Sequence, residues 1–237
     1  MSSSPPSPKA TNFLTQVLAR APRLAVFDCD GTLWSGDAGM DFFYWEIEQG
    51  LISREIAESA LGRYEQYKAG RVDEMTICGE MVTIHRGIRE SVIREAAARF
   101  FHQYFQPRIF AELLELTRRL TAAGCELWAV SSTNNWVVEV GAELFGLPAE
   151  RVLAASVAIV NGCASDRLLR VPTDGLKAAA IREVIQRPVD AIFGNSMHDL
   201  QMLEIARDPY AVNPNAELER EARQRGWTVY WPEATGR

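Results

Sequence analysis

The sequence predicts an α/β fold in which helices cover both faces of a parallel sheet and a helical segment is inserted after the first strand. Three patterns support this prediction. Short apolar runs typical of buried strands alternate with amphipathic helical patterns from residue 107 onward. Polar loops follow several of these runs. Residues 37–106 show helical spacing and no convincing strand.

The first predicted elements are a short helix and a strand. Pro22 ends the helix, whose apolar residues recur at helical spacing: Phe13, Leu14, Val17 and Leu18. Residues 24–27 form an apolar strand. The Ser/Pro-rich start lacks the basic and apolar regions of a signal peptide, so residues 1–10 are predicted to be a disordered tail.

Residues 37–106 are predicted to form an inserted helical cap. Gly50, Gly70 and Gly87 punctuate its helices, and the first helix has apolar residues at helical spacing: Met40, Phe43, Tyr44, Ile47 and Leu51. The core then comprises residues 11–36 and 107–237.

Strand and helix patterns alternate after the insertion. Helices are predicted at about 109–123, 135–145, 199–207 and 216–225, and strands at 126–130, 189–193, 210–213 and 227–231. Between Val152 and Leu169, the dipeptide Asn161-Gly162 separates two apolar runs. This is a hairpin signal, and it predicts a small antiparallel flap on the sheet edge.

Composition excludes several classes of protein. The formal net charge is -6, from 25 basic and 31 acidic residues, which argues against a nucleic-acid partner. No apolar run approaches about 18 residues, so no membrane span is expected. The four cysteines lack metal-binding spacing and indicate reduced thiols of a cytoplasmic protein. Nothing in the sequence predicts an oligomeric state.

Asp28 and Asp30 are the strongest candidate functional residues. They follow the first strand in the sequence Asp-Cys-Asp-Gly-Thr, which places two carboxylates at the carboxyl edge of the sheet. Their repulsion requires a cation or different protonation states, as in acid/base and nucleophile pairs. An ordinary turn or the start of a calcium loop is the alternative.

Three later segments also carry candidate site residues. Ser131 and Ser132 follow a strand and suit an anion at a helix start, although they also suit an N-cap. Lys177 begins a helix, where a cation is disfavoured unless it has an anionic partner; an exposed lysine is the alternative. Asn195 and Asp199 lie in a polar loop after another strand.

These four segments, in this order, resemble the haloacid dehalogenase (HAD) superfamily. The resemblance implies a Rossmann-like doubly wound sheet in which Asp28 is the phosphate-accepting nucleophile and Asp30 the general acid/base. It also implies that Lys177 pairs with the nucleophile and phosphate. The phosphate-binding residues predicted on this basis are Gly31, Thr32, Ser131 and Ser132.

The resemblance further implies a Mg²⁺ cofactor. The metal would be held by Asp28, the backbone carbonyl of Asp30 and the loop containing Asn195 and Asp199. The family loop usually begins Gly-Asp, whereas this chain has Gly194-Asn195. One negative charge is therefore missing, and whether Asn195 or Asp199 is the direct ligand stays open.

An insertion directly after the first strand resembles the phosphoserine phosphatase branch. That branch has an acid nine positions after the nucleophile that meets the substrate ammonium, which here is Asp37; an N-cap is the alternative. A quaternary ammonium would suit a cage of nearby aromatic residues, whose alternative role is core packing: Phe42, Phe43, Tyr44 and Trp45. His85 and Arg86 are candidates for contacting a carboxylate or phosphate, and solvent exposure is their alternative.

The predicted function is a Mg²⁺-dependent phosphatase that hydrolyses a small phosphorylated metabolite through an aspartyl-phosphate, as phosphoserine phosphatases do. A phosphatase for phosphocholine or phosphoethanolamine is the main alternative. A phosphomutase and a phospho-acceptor signalling module are further alternatives.

Overall fold

A computed structural model of the chain describes residues 7–233, which contain a seven-stranded sheet. The strand order is β4-β3-β2-β1-β5-β6-β7, and only the edge pair β3 and β4 is antiparallel. The predicted α/β fold and the antiparallel flap are therefore confirmed. The strands are β1 Leu24–Phe27, β2 Glu126–Asn134, β3 Val152–Val160, β4 Cys163–Arg170, β5 Val189–Gly194, β6 Ala206–Val212 and β7 Thr228–Tyr230.

Helices cover both faces of the sheet. The core helices are α1 Pro8–Ala19, α6 Ala111–Ala122, α7 Asn135–Leu144, α8 Gly175–Ile185, α9 Leu200–Leu203 and α10 Ala216–Gln224. Side chains of α1, α6 and α7 share a hydrophobic cluster with Ala25 and Phe27, whereas α8, α9 and α10 share another with Leu24 and Val26. Because successive strand residues point to opposite faces, β1 is buried on both sides at the centre of the molecule.

The segment between β1 and α6 is helical, as the sequence predicts. It contains α2 Ala38–Glu48, α3 Arg54–Lys68, α4 Glu74–Thr83 and α5 Glu90–Phe100, followed by a π-helical turn at Phe101–Phe105. Asp37, Ser53 and Asp73 cap three of these helices, since each side chain accepts a backbone N–H. The domain boundaries at residues 37 and 106 stay predictions.

Most of this insertion belongs to the same core as the sheet. Phe42 of α2, Val82 of α4 and Ile93 of α5 are in one buried cluster with Phe27 of β1. The exception is α3, whose buried residues are Ala57 and Ala60. Three helices of the insertion are therefore anchored to the sheet by apolar packing, whereas α3 lies mainly at the surface.

Three predicted boundaries are wrong. The strand predicted over residues 126–130 extends to Asn134. The predicted tail through residue 10 overlaps α1, which begins at Pro8 because the hydroxyl of Ser7 accepts the Ala10 N–H at 3.2 Å; residues 1–6 of that tail lie outside the described residues. The helix predicted over residues 199–207 is only the four-residue α9, since β6 already begins at Ala206 and pairs with Val189. Strand pairing with β5 overrides the helical spacing there.

Two negative findings also concern residues 7–233. Within this range no helix combines the length and apolar character needed to cross a membrane. All four cysteines fall inside it and are unpaired thiols.

Two helical glycines give opposite predictions for substitution by alanine. At Gly141 of α7, an added Cβ would lie 2.6 Å from the ring of Phe101 and 2.7 Å from that of Trp34, both fully buried. At Gly62 of α3, nothing lies within 4 Å. We expect Gly141→Ala to lower the free energy of unfolding by about 1–3 kcal/mol through overpacking. Gly62→Ala should raise it by up to about 1 kcal/mol through helix propensity.

Urea denaturation of the two variants and the parent chain measures both changes. A midpoint for Gly141→Ala at or above that of the parent chain would contradict the packing described for α7.

Candidate active site

The candidate site lies where the carboxyl ends of the central strands face the helical insertion. Asp28 directly follows β1, Ser131 precedes a register shift in β2, and Asn195 directly follows β5. A cavity of about 610 Å³ opens between these residues and α2, α3 and α4. Carboxyl ends of strands in open parallel sheets are where such folds bind ligands.

Asp28 is buried and held on both carboxylate oxygens. The ammonium of Lys177 donates to Oδ1 at 2.7 Å, and the hydroxyl of Thr32 donates to Oδ2 at 2.8 Å. Lys177 also donates to Oδ1 of Asp199 at 2.6 Å. None of the three charged residues is more than 4% exposed. One ammonium therefore joins two carboxylates out of contact with bulk water.

The charges of this network are only partly balanced. Burial, and then the charge of Asp199, raise the pKa of Asp28 to about 6, although Lys177 and Thr32 act in the opposite direction. Burial alone would lower the pKa of Lys177, but the charges of Asp199 and Asp28 raise it above its ordinary value. Lys177 is therefore protonated at neutral pH, and the site has a surplus of negative charge.

Asp30 is positioned by three hydrogen-bond donors. The indole Nε1 of Trp34 and the backbone N–H of Ala38 donate to Oδ1 at 2.7 and 2.8 Å. The hydroxyl of Thr133 donates to Oδ2 at 2.7 Å. Burial, followed by the charge of Asp37, still raises the pKa of Asp30 to about 7. A carboxyl group with this pKa exchanges a proton near neutral pH, as an acid/base catalyst must.

Gly31 allows the loop after β1 to approach the loop after β5. Its φ is +78°, and a Cβ at this position would lie 1.9 Å from Nδ2 of Asn195. Only glycine fits this contact without displacing the amide. The carbonyl of Gly31 accepts a hydrogen bond from Asn213 Nδ2 at 3.0 Å. Any other residue here would strain the backbone at this positive φ and displace the Asn195 amide.

Asp199 organises the loop after β5 from behind. Its Oδ2 accepts the backbone N–H groups of Asn195 at 2.8 Å and Ser196 at 3.1 Å, while Oδ1 is bound to Lys177. Asp199 is fully buried, whereas Asn195 and Ser196 line the cavity. The asparagine, and not the aspartate, is therefore the member of the predicted metal pair that faces the cavity.

The structure divides the predicted phosphate-binding residues into two groups. Ser131, Ser132 and Gly31 line the cavity. Thr32 is fully buried and its hydroxyl is committed to Asp28, so we assign it to holding that carboxylate and correct the prediction that it binds phosphate. The N-cap of α7 is Asn134, which accepts the Val137 N–H at 3.1 Å. This leaves the two serines free of a capping role.

Thr133 was missed by the sequence analysis. It follows the two serines, and its hydroxyl bridges β2 to Asp30 while its backbone N–H donates to Ser131 Oγ at 3.2 Å. The unbroken run of polar side chains from residue 131 to residue 134 was the available signal, because a simple helix cap needs only one of them.

The two predicted substrate contacts lie in different places. Asp37 lines the cavity and also caps α2, with Oδ1 accepting the Met40 N–H at 2.9 Å. Arg86 lies outside the cavity, where its exposed side chain forms an ion pair with Asp166 at 2.9 Å. The prediction that Arg86 contacts a substrate is therefore wrong for this structure. The sequence around Arg86, which precedes a turn glycine, does not indicate the direction of its side chain.

The aromatic cage predicted on α2 is also corrected. Phe42 and Trp45 are core residues, and Tyr44 is exposed. Of the four aromatic residues, only Phe43 lines the cavity. The other aromatic residues that line it are Tyr64 and Tyr67 of α3, which the sequence analysis did not identify.

A buried acid–imidazole pair lies at the cavity wall. His85 Nδ1 lies 3.0 Å from the carbonyl of Val82, which only accepts hydrogen bonds, so Nδ1 carries a proton. His85 Nε2 lies 2.8 Å from Oε1 of Glu46, so the pair shares one further proton. Both residues are 1% exposed, and burial raises the pKa of Glu46. This is a neutral pair rather than an uncompensated charge.

His198 links the insertion to the core. Its Nδ1 forms ion pairs with Glu74 of α4 and with Asp174, which precedes α8. The hydrogen bond to Glu74, opposed by burial and supported by Asp174, raises the pKa of His198 to about 9. The imidazole is therefore charged at neutral pH. It supplies the positive charge for the two carboxylates, so they need no metal ion.

The residues around Asp28 fit a divalent metal ion. The available donors are the carboxylate of Asp28, the backbone carbonyl of Asp30 and the side-chain amide of Asn195, which are hard oxygen ligands of the kind that Mg²⁺ prefers. Lys177 supplies one positive charge to the two carboxylates of Asp28 and Asp199, which leaves a negative charge for a metal ion to offset. Asn195 lines the same cavity as Asp28 and Asp30.

Comparisons with known proteins identify the family. The haloacid dehalogenase-like hydrolase family matches residues 25–204, a range that contains Asp28, Ser131, Lys177 and Asp199. The histidinol-phosphatase of Neisseria meningitidis serogroup C (strain 8013) is 26% identical over 220 residues, which are 87% of this chain and 97% of the relative.

Two solved structures share the fold. A protein of unknown function from Bordetella pertussis Tohama I has a TM-score of 0.76 at 21% identity, covering 88% of this chain and 97% of that one. A phosphoserine phosphohydrolase-like protein from Francisella tularensis subsp. tularensis SCHU S4 has a TM-score of 0.59 at 17% identity, covering 88% and 94%.

Removing the central ammonium should destabilise the protein in a pH-dependent way. In Lys177→Met, two buried carboxylates lose their cation, so we expect a loss of about 3–5 kcal/mol in the free energy of unfolding at pH 7. Without Lys177 the folded-state pKa of Asp28 rises further above its unfolded value, so the protonated form is favoured by folding. The penalty should therefore shrink as the pH falls from 7 toward 5.

Denaturant titrations at pH 5, 6 and 7 measure this dependence. Lys68→Met is the matched control, because Lys68 is an exposed lysine paired with Glu65, and its titration midpoint should not move. An equal penalty for Lys177→Met at all three pH values would contradict the buried charge network.

Proposed function

We propose that this chain, which belongs to the haloacid dehalogenase-like hydrolase family and is a phosphomonoesterase, hydrolyses a small amino-alcohol phosphate with the help of Mg²⁺. The observation that carries the proposal is the buried Asp28 carboxylate, which is fixed by Lys177 and Thr32 and faces a cavity shared with Asp30 and Ser131. The cavity thus brings together an anionic nucleophile, an acid whose pKa is near neutral pH and a hydroxyl that can donate a hydrogen bond to phosphate.

In the first step, an oxygen of Asp28 attacks the phosphorus of the ester and the bond to the alcohol oxygen breaks. Asp30 gives its proton to the departing alcohol, leaving an aspartyl-phosphate on residue 28. In the second step, Asp30 removes a proton from a water molecule that attacks the same phosphorus. This regenerates Asp28 and releases inorganic phosphate.

Charge compensation decides whether an anionic carboxylate can approach an anionic phosphate. Asp28, the carbonyl of Asp30 and Asn195 would hold Mg²⁺, which supplies the positive charge that this approach needs. Lys177 contributes a fixed ammonium, and Ser131 contributes a hydroxyl donor at the end of β2. Asp199 positions Lys177 and the Asn195 loop from behind the site.

The cavity favours a leaving group that carries a cation and no carboxylate. No arginine lines it in the part of the chain that the structure describes, and Lys177, its lysine, is bound to Asp28 and Asp199. Three carboxyl groups of the insertion line it instead. Glu46 is paired with His85 and Glu74 with His198, whereas Asp37 has no ion-pair partner among the described residues.

The charged imidazole of His198 also lines the cavity, but it is held by Glu74 and Asp174. A phosphoserine carboxylate would therefore find no unpaired cation among these residues, and we favour the amino-alcohol alternative. The histidinol-phosphatase of N. meningitidis is consistent with this choice, since histidinol is an amino alcohol.

The signalling-module and phosphomutase alternatives have less support. A phospho-acceptor module needs a long-lived phosphoaspartate, whereas Asp30 would activate a water molecule that hydrolyses it.

We place the enzyme in the cytoplasm as part of this proposal, because its four unpaired thiols suit a reducing compartment.

The main test is phosphate release from a panel of phosphate monoesters, with and without Mg²⁺. The panel contains phosphoserine, phosphoethanolamine, phosphocholine and histidinol phosphate. We expect Mg²⁺-dependent multiple turnover, greater for the three amino-alcohol esters than for phosphoserine, and no turnover by Asp28→Asn. Single turnover without hydrolysis would favour the signalling module, and a requirement for a bisphosphate would favour the mutase.

The role of Asp30 predicts a dependence on the leaving group. Asp30→Asn should slow alcohol release in the first turnover by about 10²–10⁴-fold for an alkyl phosphate, because the alcohol must be protonated. Release of p-nitrophenolate, which leaves without a proton, should slow by less than about 10-fold. Rapid-quench measurement of the first turnover separates this step from the later attack of water.

The wild-type enzyme offers an independent check through pH. Because the pKa of Asp30 is about 7, the proton that it donates is lost as the pH rises through that value. The kcat/KM for an alkyl phosphate should therefore fall above pH 7, and the p-nitrophenyl ester should show a weaker fall. Equal slowing of both esters in Asp30→Asn would contradict the assigned role.

A further inference from the structure

We propose that Tyr64 and Tyr67 of α3 form an aromatic subsite that binds the organic ammonium of the leaving group, in addition to the contact with Asp37 that the family resemblance implies. This inference rests on the proposed phosphatase function and assigns its specificity to residues of the insertion. The tyrosines come from α3 and Asp37 caps α2, whereas Asp28 directly follows β1; all four residues line one cavity.

The two tyrosines present one aromatic surface to the cavity. They are three residues apart on α3, so they lie on the same side of the helix. Their ring centroids are 5.8 Å apart with an angle of 37° between the planes. Both side chains are partly buried and line the cavity, although the rest of α3 is mostly at the surface. Surface helices have no packing reason to place two aromatic rings against a water-filled space.

The two rings share the cavity with a carboxylate that has no ion-pair partner among the described residues. Asp37 uses Oδ1 to cap α2 and forms no ion pair with any described residue. Burial raises the pKa of the Tyr64 hydroxyl, and the negative charge of Asp37 raises it further. An aromatic surface beside a carboxylate is the combination that recognises ammonium ions, because the ring faces and the carboxylate both attract positive charge.

Tyr64 already attracts a cation on one side. The ammonium of Lys68 lies 5.3 Å from the centroid of the Tyr64 ring, within the range of a cation–π contact. Lys68 is exposed and pairs with Glu65, and it does not line the cavity. The ring of Tyr67 has no such partner among the described residues, which leaves it available to a ligand.

The rest of the wall suits the carbon atoms that surround such a nitrogen. Phe43 of α2 is nearly fully buried at this wall, and further apolar side chains complete it: Met40, Ile77, Met81 and Val82. Methylene and methyl groups attached to an ammonium would contact these side chains. The ligand class is therefore an alkylammonium group joined by a short chain to the phosphate ester.

A pair of isosteric esters tests the subsite on the unmodified enzyme. Choline phosphate and 3,3-dimethylbutyl phosphate have the same shape, but only the first carries a positive charge on the leaving group. Phosphoethanolamine and n-propyl phosphate form the corresponding primary-ammonium pair. We expect kcat/KM to be about 10- to 30-fold higher for the charged member of at least one pair, as a desolvated cation–π contact beside a carboxylate predicts.

Variants locate the preference on the rings. Tyr67→Leu should reduce the ratio of charged to neutral kcat/KM to below about 3-fold, whereas Tyr67→Phe, which keeps the ring, should preserve it. Tyr104→Leu is the matched control, because Tyr104 is exposed on the π-helical turn and does not line the cavity. Thermal unfolding of each variant shows that the fold is retained, and the isostere ratio for the wild type needs no variant.

The outcomes separate the two proposals. Equal kcat/KM within both isostere pairs, or an unchanged ratio in Tyr67→Leu, would overturn the subsite and leave the phosphatase intact. Absence of Mg²⁺-dependent release from all four esters and from p-nitrophenyl phosphate would overturn the proposed function, and the subsite with it.

Discussion

The contact on which this structure depends is the buried ammonium of Lys177 between the carboxylates of Asp28 and Asp199. The three residues come from the loop after β1, the start of α8 and the loop after β5, which are 149 and 22 positions apart. Charges leave water only when they are paired with good geometry. The crossovers of the sheet therefore have to bring these loops together before the network can form. Hydrogen bonds from Thr32 and from the backbone of the Asn195 loop then fix the two carboxylates.

The cavity has one rigid wall and one weakly anchored wall. The strand ends carry Asp28, Asp30 and Ser131 on a sheet that is buried on both faces. Most of the insertion shares that core, but α3 buries little besides Ala57 and Ala60. Segments with few buried apolar contacts open at low free-energy cost. The chemistry is thus built on the most stable part of the molecule, and α3 is the part of the wall with the least packing to hold it.

The spacing of apolar residues and the order of the motifs were sufficient to predict the sheet with its alternating strands and helices and the edge hairpin. They also predicted that Asp28, Lys177 and Asn195 lie at one site. The spacing of residues in the sequence did not predict which way a side chain points where tertiary contacts decide it. The residues of α2 share helical spacing, yet Phe42 packs in the core and Phe43 reaches the cavity. Arg86 points to Asp166 and away from the site because a partner on β4 is available there. Thr32 has the chemistry of a phosphate ligand, but the short loop turns its hydroxyl onto Asp28.

The hydrogen bond from Trp34 to Asp30 has an optical consequence. The indole Nε1 lies 2.7 Å from the carboxylate oxygen, inside a fully buried aromatic environment. Ionised and neutral carboxyl groups polarise an indole to different extents, so the electrostatic environment of this tryptophan changes with the proton on Asp30. Of the six tryptophans, Trp34 is therefore an intrinsic fluorophore hydrogen-bonded directly to the candidate acid/base group.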